Sequence, residues 1–205
     1  SQAGAVLTVT LNRPEHHNAM SPAMMAGLAG IFSELPARDD VRVVVLTGSG
    51  RSFCAGADLG YMRAAADYSF DENRADGRAI FDLMLAVDSC PQPVIGRVNG
   101  AAIGGGAGLV ACCDIVVAVE RATFAFSEAR LGIMPAVISP FVLWRIGPGQ
   151  ARELFLTGER FDARRAQAIG LIHHIAAAED ELDGVVAERA AQLSQAAPGA
   201  QATIK

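Results

Sequence analysis

Two glycine-rich loops, each directly after a hydrophobic stretch, are the features of this sequence that could do chemistry. The first runs from Gly48 to Asp58 and the second from Asn99 to Gly108. Glycines at a strand-to-helix junction let a backbone N–H approach a ligand without a Cβ in the way. A helix that begins there directs its positive end at developing negative charge. Two such loops predict an oxyanion hole, whereas one loop alone more often marks close packing.

Neither loop fits a nucleotide-binding pattern. Phe53 and Leu109 stand where the third glycine of a dinucleotide fingerprint would fall, and neither loop holds the lysine of a phosphate loop. We therefore expect neither nicotinamide nor ATP, and no bound cofactor.

Glu128 lies downstream of both loops, after Phe124 and Phe126 and before Ile133. A glutamate in a loop is by default a solvated surface charge. Held among apolar side chains, it would have a raised pKa that suits it to move a proton at neutral pH.

Composition narrows the classes of partner. The net charge of -5 offers no basic stripe for nucleic acid or an anionic membrane. No apolar run approaches the ~20 residues that cross a bilayer, and no signal peptide is evident, so we expect a cytoplasmic protein. The four cysteines lack metal or redox spacing and should be reduced and mostly buried. The adjacent histidine pairs at 16–17 and 173–174 point in diverging directions, so no metal site is expected.

The elements that must position these loops alternate between strand and helix. The hydrophobic patterns predict strands over 5–11, 41–46, 94–98, 115–119 and 123–126, and helices over 21–35, 73–87 and 104–112. This order predicts an α/β fold with a mainly parallel sheet. We expect one domain over 1–205, with a strand-rich core over 1–135 and a helical region over 136–205.

The two ends of the sequence look cut. The chain opens almost directly into a strand and closes in a Pro-Gly-Ala segment, so we expect a missing element on each side and a truncated C-terminal helical region. Its apolar helices from Ile138 onward exceed what one small sheet can cover, which predicts an oligomer.

Five motifs in order resemble the crotonase (enoyl-CoA hydratase/isomerase) superfamily, and the match spans nearly the whole chain. They are Asn12-Arg13-Pro14 with Asn18-Ala19-Met20, then Phe53 to Asp58, Asn99 to Gly106, Cys113-Asp114-Ile115, and Phe124 to Glu128. The resemblance implies a spiral of ββα units with C-terminal helices, a homotrimer or a hexamer, and an acyl-CoA bent between the two loops.

The resemblance also implies roles for individual residues. The thioester oxygen would sit between the N–H groups of Ala57 and Gly105, with Glu128 as acid/base. The implied substrate-binding residues are Ala55, Asp58, Leu59 and Gly104 around the thioester and pantetheine, and Tyr61 and Met62 along the acyl pocket.

Gly108 departs from the family's hydratases, which carry a second glutamate at this position. Three explanations remain open: a Δ3,Δ2-enoyl-CoA isomerase that needs one carboxylate, a hydratase that recruits another group, or a substrate whose own carboxylate fills the space. The third agrees with a further resemblance, over 105–114 and 135–140, to bacterial methylglutaconyl-CoA and isohexenylglutaconyl-CoA hydratases of leucine and acyclic terpene catabolism.

The expected function is hydration of a 2-enoyl-CoA, with a branched or carboxylated acyl group at Gly108. The isomerase is the first alternative, with Glu128 as its single proton shuttle. A non-catalytic oligomeric scaffold is the second, and the intact loops and Glu128 count against it.

Overall fold

Ten strands form two sheets in the computed structural model, which describes all 205 residues. In chain order the strands are β1 (Gln2–Ala3), β2 (Val6–Leu11), β3 (Val43–Gly48), β4 (Ser52–Cys54), β5 (Val94–Val98), β6 (Ala101–Ile103), β7 (Ile115–Val119), β8 (Thr123–Ala125), β9 (Phe161–Asp162) and β10 (His174–Ala176). The larger sheet has the order β1-β2-β3-β5-β7-β10, and the smaller has the order β4-β6-β8-β9.

Eight α-helices surround the sheets. They are α1 (Pro22–Glu34), α2 (Leu59–Ala65), α3 (Phe70–Asp88), α4 (Gly105–Cys112), α5 (Ser139–Thr157), α6 (Ala163–Ala168), α7 (Glu179–Gln195) and α8 (Pro198–Ile204), with short 3-10 helices at Pro14–His16, Leu35–Ala37 and Glu128–Leu131. None of the eight combines the length and the apolar character that a membrane-spanning helix needs.

The large sheet is parallel except at its β1 edge. Every residue of β3 is buried, as expected for a β-branched strand covered on both faces. It pairs in parallel with β2 on one side and with β5 on the other, where Val44 lies opposite Val94. The predicted α/β class with a mainly parallel sheet is confirmed.

The two sheets are built by a repeated ββα path. The chain enters the large sheet at β3, β5 and β7, and each time continues into the small sheet at β4, β6 and β8. Helices α2 and α3 follow the first pair and α4 follows the second. Because β4 and β6 are parallel neighbours, the loops that leave them emerge side by side. This adjacency brings the two glycine loops together.

One continuous core of 49 buried residues runs from β2 to α7. It supports a single domain, which stays a prediction. Helices α5 to α8 occupy most of the region 136–205, and two short strands lie among them: β9 joins the small sheet through β8, and β10 joins the large sheet through β7. Both strands are only two or three residues long, and tertiary pairing decides their conformation.

All four cysteines are buried and free, so the predicted burial is confirmed. Burial raises the pKa of Cys54 and of Cys113 to about 12. The pKa values of Cys90 and Cys112 are raised for the same reason.

Candidate active site

The first glycine loop is hydrogen-bonded along its length to residues 17–20. Ala55 N–H donates to the His17 carbonyl at 3.0 Å, Met20 N–H to Gly56 at 2.7 Å, and Asp58 N–H to Met20 at 3.0 Å. Ala57, which lies between these bonds as the parallel bridge partner of Met20, donates its own N–H to no protein acceptor.

The second loop ends at the N-terminus of α4. Gly104 has φ +52° and ψ -121°, a conformation that L side chains rarely adopt, and its N–H donates to Ala125 at 2.8 Å. Gly105 is the first residue of α4, so its N–H has no partner inside the helix. No other protein group accepts from it.

The two loops meet at Gly56, whose φ is +90°. A Cβ built on Gly56 would lie 2.8 Å from the Ile103 carbonyl oxygen and 3.6 Å from the Gly105 nitrogen. A Cβ on Gly106 would lie 2.9 Å from that of Cys54, so the start of α4 rests directly on the first loop. The unpaired amide of Gly105 is thus held close to Gly56, the residue before Ala57, on closely packed backbone.

Glu128 lies against the second loop. It begins the short 3-10 helix after β8, and its Oε1 is 3.3 Å from where a Cβ of Gly104 would be. The residue is half-buried, and its Oε2 is shielded from solvent without any hydrogen-bond partner. Burial raises the pKa of this carboxyl, and its own backbone N–H only partly opposes the shift. An unpaired carboxylate with a raised pKa, lying against the residue before the free Gly105 amide, can transfer a proton next to a developing oxyanion.

The space beside Gly108 is filled by the protein. Gly108 is buried on α4, and a Cβ there would lie 2.9 Å from Ile138 Cβ, closer still to Ile138 Cγ2, and 3.5 Å from Met84 Cε. The expectation that the missing side chain leaves room for the substrate is therefore wrong. The apolar side chain that replaces a second carboxylate comes from thirty residues further along the chain.

The remaining predicted binding residues divide into two groups. Ala55 is exposed on the first loop, and Leu59 is 67% exposed at the start of α2. Asp58 instead bonds to its own chain: Oδ1 accepts from Gly60 and Tyr61 N–H groups, and Oδ2 binds a guanidinium. The side chain of Asp58 thus caps α2 and forms an ion pair, and its place beside the thioester stays a prediction.

The two acyl-pocket candidates lie on α2. Tyr61 and Met62 are half-buried, and the Tyr61 hydroxyl donates to Asp76 of α3. Burial and the neighbouring Asp76 carboxylate raise the pKa of this phenol. The hydroxyl thus ties α2 to α3.

Sequence reasoning missed two buried asparagines that brace the first loop. Asn18 Nδ2 donates to the carbonyls of Ser49 and Ser52 at 2.9 and 2.8 Å. Asn99 Nδ2 donates to Gly50 at 2.8 Å. The signal was in the motifs that carry the resemblance, where both asparagines occur.

A basic cleft of about 510 Å³ opens next to the first loop and was also missed. Its lining includes Ala55 and His17 together with Arg51, Arg121 and Arg160. Arg121 is paired with Glu179, whereas Arg51 and Arg160 form no ion pair. The arginines come from separate loops, so sequence spacing did not reveal the cluster.

No group of three or more His, Cys, Asp or Glu side chains is placed to hold a metal ion.

Comparison with known proteins identifies the family. A family model described as enoyl-CoA hydratase/isomerase matches residues 1–205. The chain belongs to this family. The predicted crotonase resemblance and the prediction of an enzyme of the enoyl-CoA hydratase type are confirmed at the family level.

Relatives of the enoyl-CoA hydratase/isomerase family cover the chain broadly. A putative enoyl-CoA hydratase of Thermus thermophilus is 38% identical over 175 residues, which are 85% of this chain and 69% of that protein. Enoyl-CoA hydratase ACTT6 of Alternaria alternata is 37% identical over 204 residues, which are 100% of this chain and 66% of that protein. The chain thus spans about two thirds of the length of these relatives.

Solved structures confirm the crotonase fold. An enoyl-CoA hydratase from Shewanella pealeana superposes with a TM-score of 0.95 at 37% identity, covering 100% of this chain and 76% of that one. Pseudomonas aeruginosa AtuE superposes with a TM-score of 0.96 at 40% identity, covering 100% and 79%.

Proposed function

We propose that this protein adds water across the double bond of a 2-enoyl-CoA, through an enolate held by the N–H groups of Ala57 and Gly105. The observation that carries the proposal is the meeting of two unpaired amides with the buried, unpaired carboxylate of Glu128. Membership of the enoyl-CoA hydratase/isomerase family supports it.

The thioester oxygen accepts both hydrogen bonds and gains negative charge as the enolate forms. Donors that are already in place stabilise this charge more in the transition state than in the ground state, and losing one costs about 10²–10³ in rate. The hydrogen bond from Gly104 N–H to Ala125 and the close packing of Gly106 on Cys54 keep the second loop from reorganising.

One carboxylate can balance the whole addition. Ionised Glu128 takes a proton from water while the water oxygen bonds to C3, and the electrons of the double bond move into the enolate. The protonated Glu128 then delivers that proton to C2 and restores the thioester. Burial raises the pKa of Glu128, so its protonated form is more accessible than that of an ordinary glutamate, which helps it hold the proton between the two transfers.

The basic cleft supports coenzyme A as the carrier. Arg51 and Arg160 have no carboxylate partners, and Ala55 lies both in this cleft and on the first loop. Guanidinium groups bind phosphate in a bidentate manner. The whole chain has a net charge of -5. This local excess of positive charge therefore suits the phosphate groups of a coenzyme A thioester.

The isomerase is the second candidate, and the surroundings of Gly108 favour it. With Ile138 and Met84 in place of a second carboxylate, Glu128 has no neighbouring acid to help orient water. In that reaction Glu128 removes a proton from C2 of a 3-enoyl-CoA and returns it to C4.

Three finer points also belong to the proposal. The sequence resemblance supports a branched or carboxylated, methylglutaconyl-type acyl group, although its room lies elsewhere than at Gly108. Exposed apolar side chains on α5, Trp144 among them, support a homotrimer or a hexamer. The cytoplasm is the proposed location.

A panel of enoyl-CoA thioesters analysed by mass spectrometry tests the function. Hydration adds one water to the product, whereas isomerisation leaves the mass unchanged and moves the double bond. Glutaconyl-type and crotonyl thioesters are compared side by side. No conversion of any thioester would favour the non-catalytic scaffold and overturn the proposal.

A further inference from the structure

Arg13 joins two segments that flank the first candidate oxyanion amide. A single nitrogen of its guanidinium, Nη1, donates to the Ala19 carbonyl at 2.8 Å and to Asp58 Oδ2 at 3.1 Å. Ala19 immediately precedes Met20, the bridge partner of Ala57, and Asp58 immediately follows Ala57. Arg13 therefore contacts the residue that follows Ala57 and the residue that precedes its bridge partner.

The backbone of Arg13 is itself fixed. Its N–H donates to the side-chain oxygen of Asn18 at 2.9 Å, and its carbonyl accepts from Asn18 N–H at 2.9 Å. Asn18 is fully buried and holds the first loop through Ser49 and Ser52. The guanidinium thus extends from a braced segment, with its side chain only 26% exposed.

Asp58 divides its two oxygens between separate tasks. Oδ1 caps α2 by accepting from Gly60 and Tyr61, and Oδ2 accepts from Arg13. No other side chain forms an ion pair with Asp58. Without Arg13 the carboxylate would keep its helix cap but lose its link to the Ala19 carbonyl, and the segment from Gly56 to Asp58 would be held to its neighbour by the backbone bonds with Met20 alone.

We propose that Arg13 is a positioning residue for catalysis, which aims the Ala57 N–H at the thioester oxygen by tying Asp58 to the Ala19 carbonyl. The inference rests on the proposed oxyanion role of Ala57. It assigns to Arg13 a function in transition-state stabilisation, and none in holding coenzyme A, because none of its contacts reach the basic cleft.

The two bonds of Arg13 predict which substitutions at this position keep activity. Both bonds come from one nitrogen, so the ammonium of lysine can replace them if it reaches the same point, whereas methionine keeps the chain length and loses both. We expect Arg13→Met to lower kcat by about 10- to 100-fold with little change in the Kd of an acyl-CoA, since small misplacement of a reacting group has effects of this size. Arg13→Lys should recover most of the loss.

The decisive readout is the infrared carbonyl band of butyryl-CoA, labelled with ¹³C at the thioester carbonyl and bound to the protein. This saturated thioester does not react, so the shift of its band to lower frequency measures hydrogen bonding at the oxygen. In the wild type the band should shift relative to water. Arg13→Met should lose about half of the shift if one of two donors is displaced, and Arg13→Lys should restore it.

Arg38→Met is the matched control, because Arg38 also pairs with an aspartate, Asp40, at 2.7 Å, and its side chain bonds only to Asp40 and Gln2. It should leave kcat and the band unchanged. Should Arg13→Met not fold, Asp58→Asn serves instead: it keeps an oxygen to cap α2 and turns an amide NH₂ toward Arg13, so it should lose the shift as well.

The outcomes separate the two ideas. A wild-type band unshifted from its position in water would overturn the oxyanion hole itself, and the Arg13 inference with it. A normal wild-type shift that persists in Arg13→Met, with kcat within about twofold of wild type, would overturn the Arg13 inference alone.

Discussion

At the scale of single residues, the environment of Glu128 sets function against stability. Its Oε2 is shielded from water and accepts no hydrogen bond, a state that costs free energy for an ionised carboxyl. Such a cost is characteristic of groups retained for their chemistry, since evolution could remove it by a neutral substitution. Replacing Glu128 by glutamine should therefore lower activity and raise stability.

Glu128→Gln should lower kcat by about 10²–10⁴-fold, because the amide is nearly isosteric but cannot exchange a proton. Acyl-CoA binding, measured by calorimetry, should change little. Glu34→Gln, an exposed glutamate outside the site, is the control. Turnover close to wild type in Glu128→Gln would remove this residue from the mechanism.

The same substitution should stabilise the fold near neutral pH. Burial raises the pKa of Glu128 above its ordinary value of 4.5, so the stability it contributes is present below that pH and is lost as pH rises through the folded pKa. Glutamine removes this loss. Chemical unfolding of both proteins from pH 4 to 8 should show a gap that widens as pH rises, whereas equal curves would show that the carboxyl is well solvated. This range begins near the ordinary pKa of a glutamate side chain and extends above it.

The close contact between Gly108 and Ile138 should make the stability of the fold sensitive to a side chain at position 108. Gly108→Ala should lower the free energy of unfolding by about 1–3 kcal/mol, because its Cβ would overlap the β-branched Ile138. Ile138→Ala should partly rescue it, so the double variant should be more stable than the sum of the single changes predicts. Gly77→Ala is the control, since this helical glycine has nothing within 4 Å of a Cβ and should gain about 0.5–1 kcal/mol.

Gly108→Glu follows from the same contact. It should depress activity on glutaconyl-type and crotonyl thioesters alike, because a larger side chain displaces Ile138. An unchanged melting temperature together with loss on the glutaconyl-type thioester alone would instead support substrate carboxylate at this position.

At the scale of secondary-structure elements, the sequence predicted those whose conformation is determined by their own residues. The apolar run of β3, the periodic face of α3 and the glycine start of α4 all appear within a few residues of their predicted bounds. The short strands β4, β9 and β10 did not, because their two or three residues take their conformation from pairing with distant partners.

The same distinction applies within the site. Ala57, Gly105 and Glu128 were predicted from the motifs that carry the family resemblance, and the structure brings the two loops and the carboxylate together. The filling of the Gly108 space by Ile138 depends on helix packing that no spacing rule encodes. The ion pair of the Asp58 carboxylate likewise depends on Arg13, 45 residues earlier.

The junction of β7 and β10 should make stability depend on pH. His173 Nδ1 accepts the Val116 N–H at 2.9 Å, and desolvation, reinforced by Arg145, lowers the pKa of this imidazole below 6.5. A base with a depressed pKa contributes stability that is present above its unfolded pKa and is lost as pH falls through the folded pKa. His173→Gln should flatten the fall in unfolding free energy below about pH 6.5. Parallel curves for the two proteins would contradict this role.

At the scale of the whole molecule, α5 and the segment before it expose an apolar surface. Its members are Leu131, Ile133, Met134, Leu143, Trp144 and Leu156, of which Trp144 is 91% exposed. A cleft of about 640 Å³ lies among several of them. Contiguous apolar patches of this kind mark interfaces.

We expect the protein to sediment as a trimer or a hexamer, with this surface covered by neighbouring copies. Leu143→Glu should shift the sedimentation coefficient toward that of a monomer. Leu85→Glu is the control, because Leu85 is equally exposed, at 41%, but lies on α3 outside the patch. A stable, active monomer in the wild type would refute the assembly.

The four buried thiols have a use that is unrelated to catalysis. Thiolates, rather than thiols, react with alkylating reagents, and burial both hides these sulfurs and raises their pKa values. Each can therefore be modified only when the packing around it opens. Cys54 lies in the first glycine loop under the start of α4, and Cys90 lies just past the end of α3, so their separate labelling rates report opening in two regions. The native chain thus contains its own probes of local unfolding, and a cysteine introduced on the surface would accept a fluorophore long before they do.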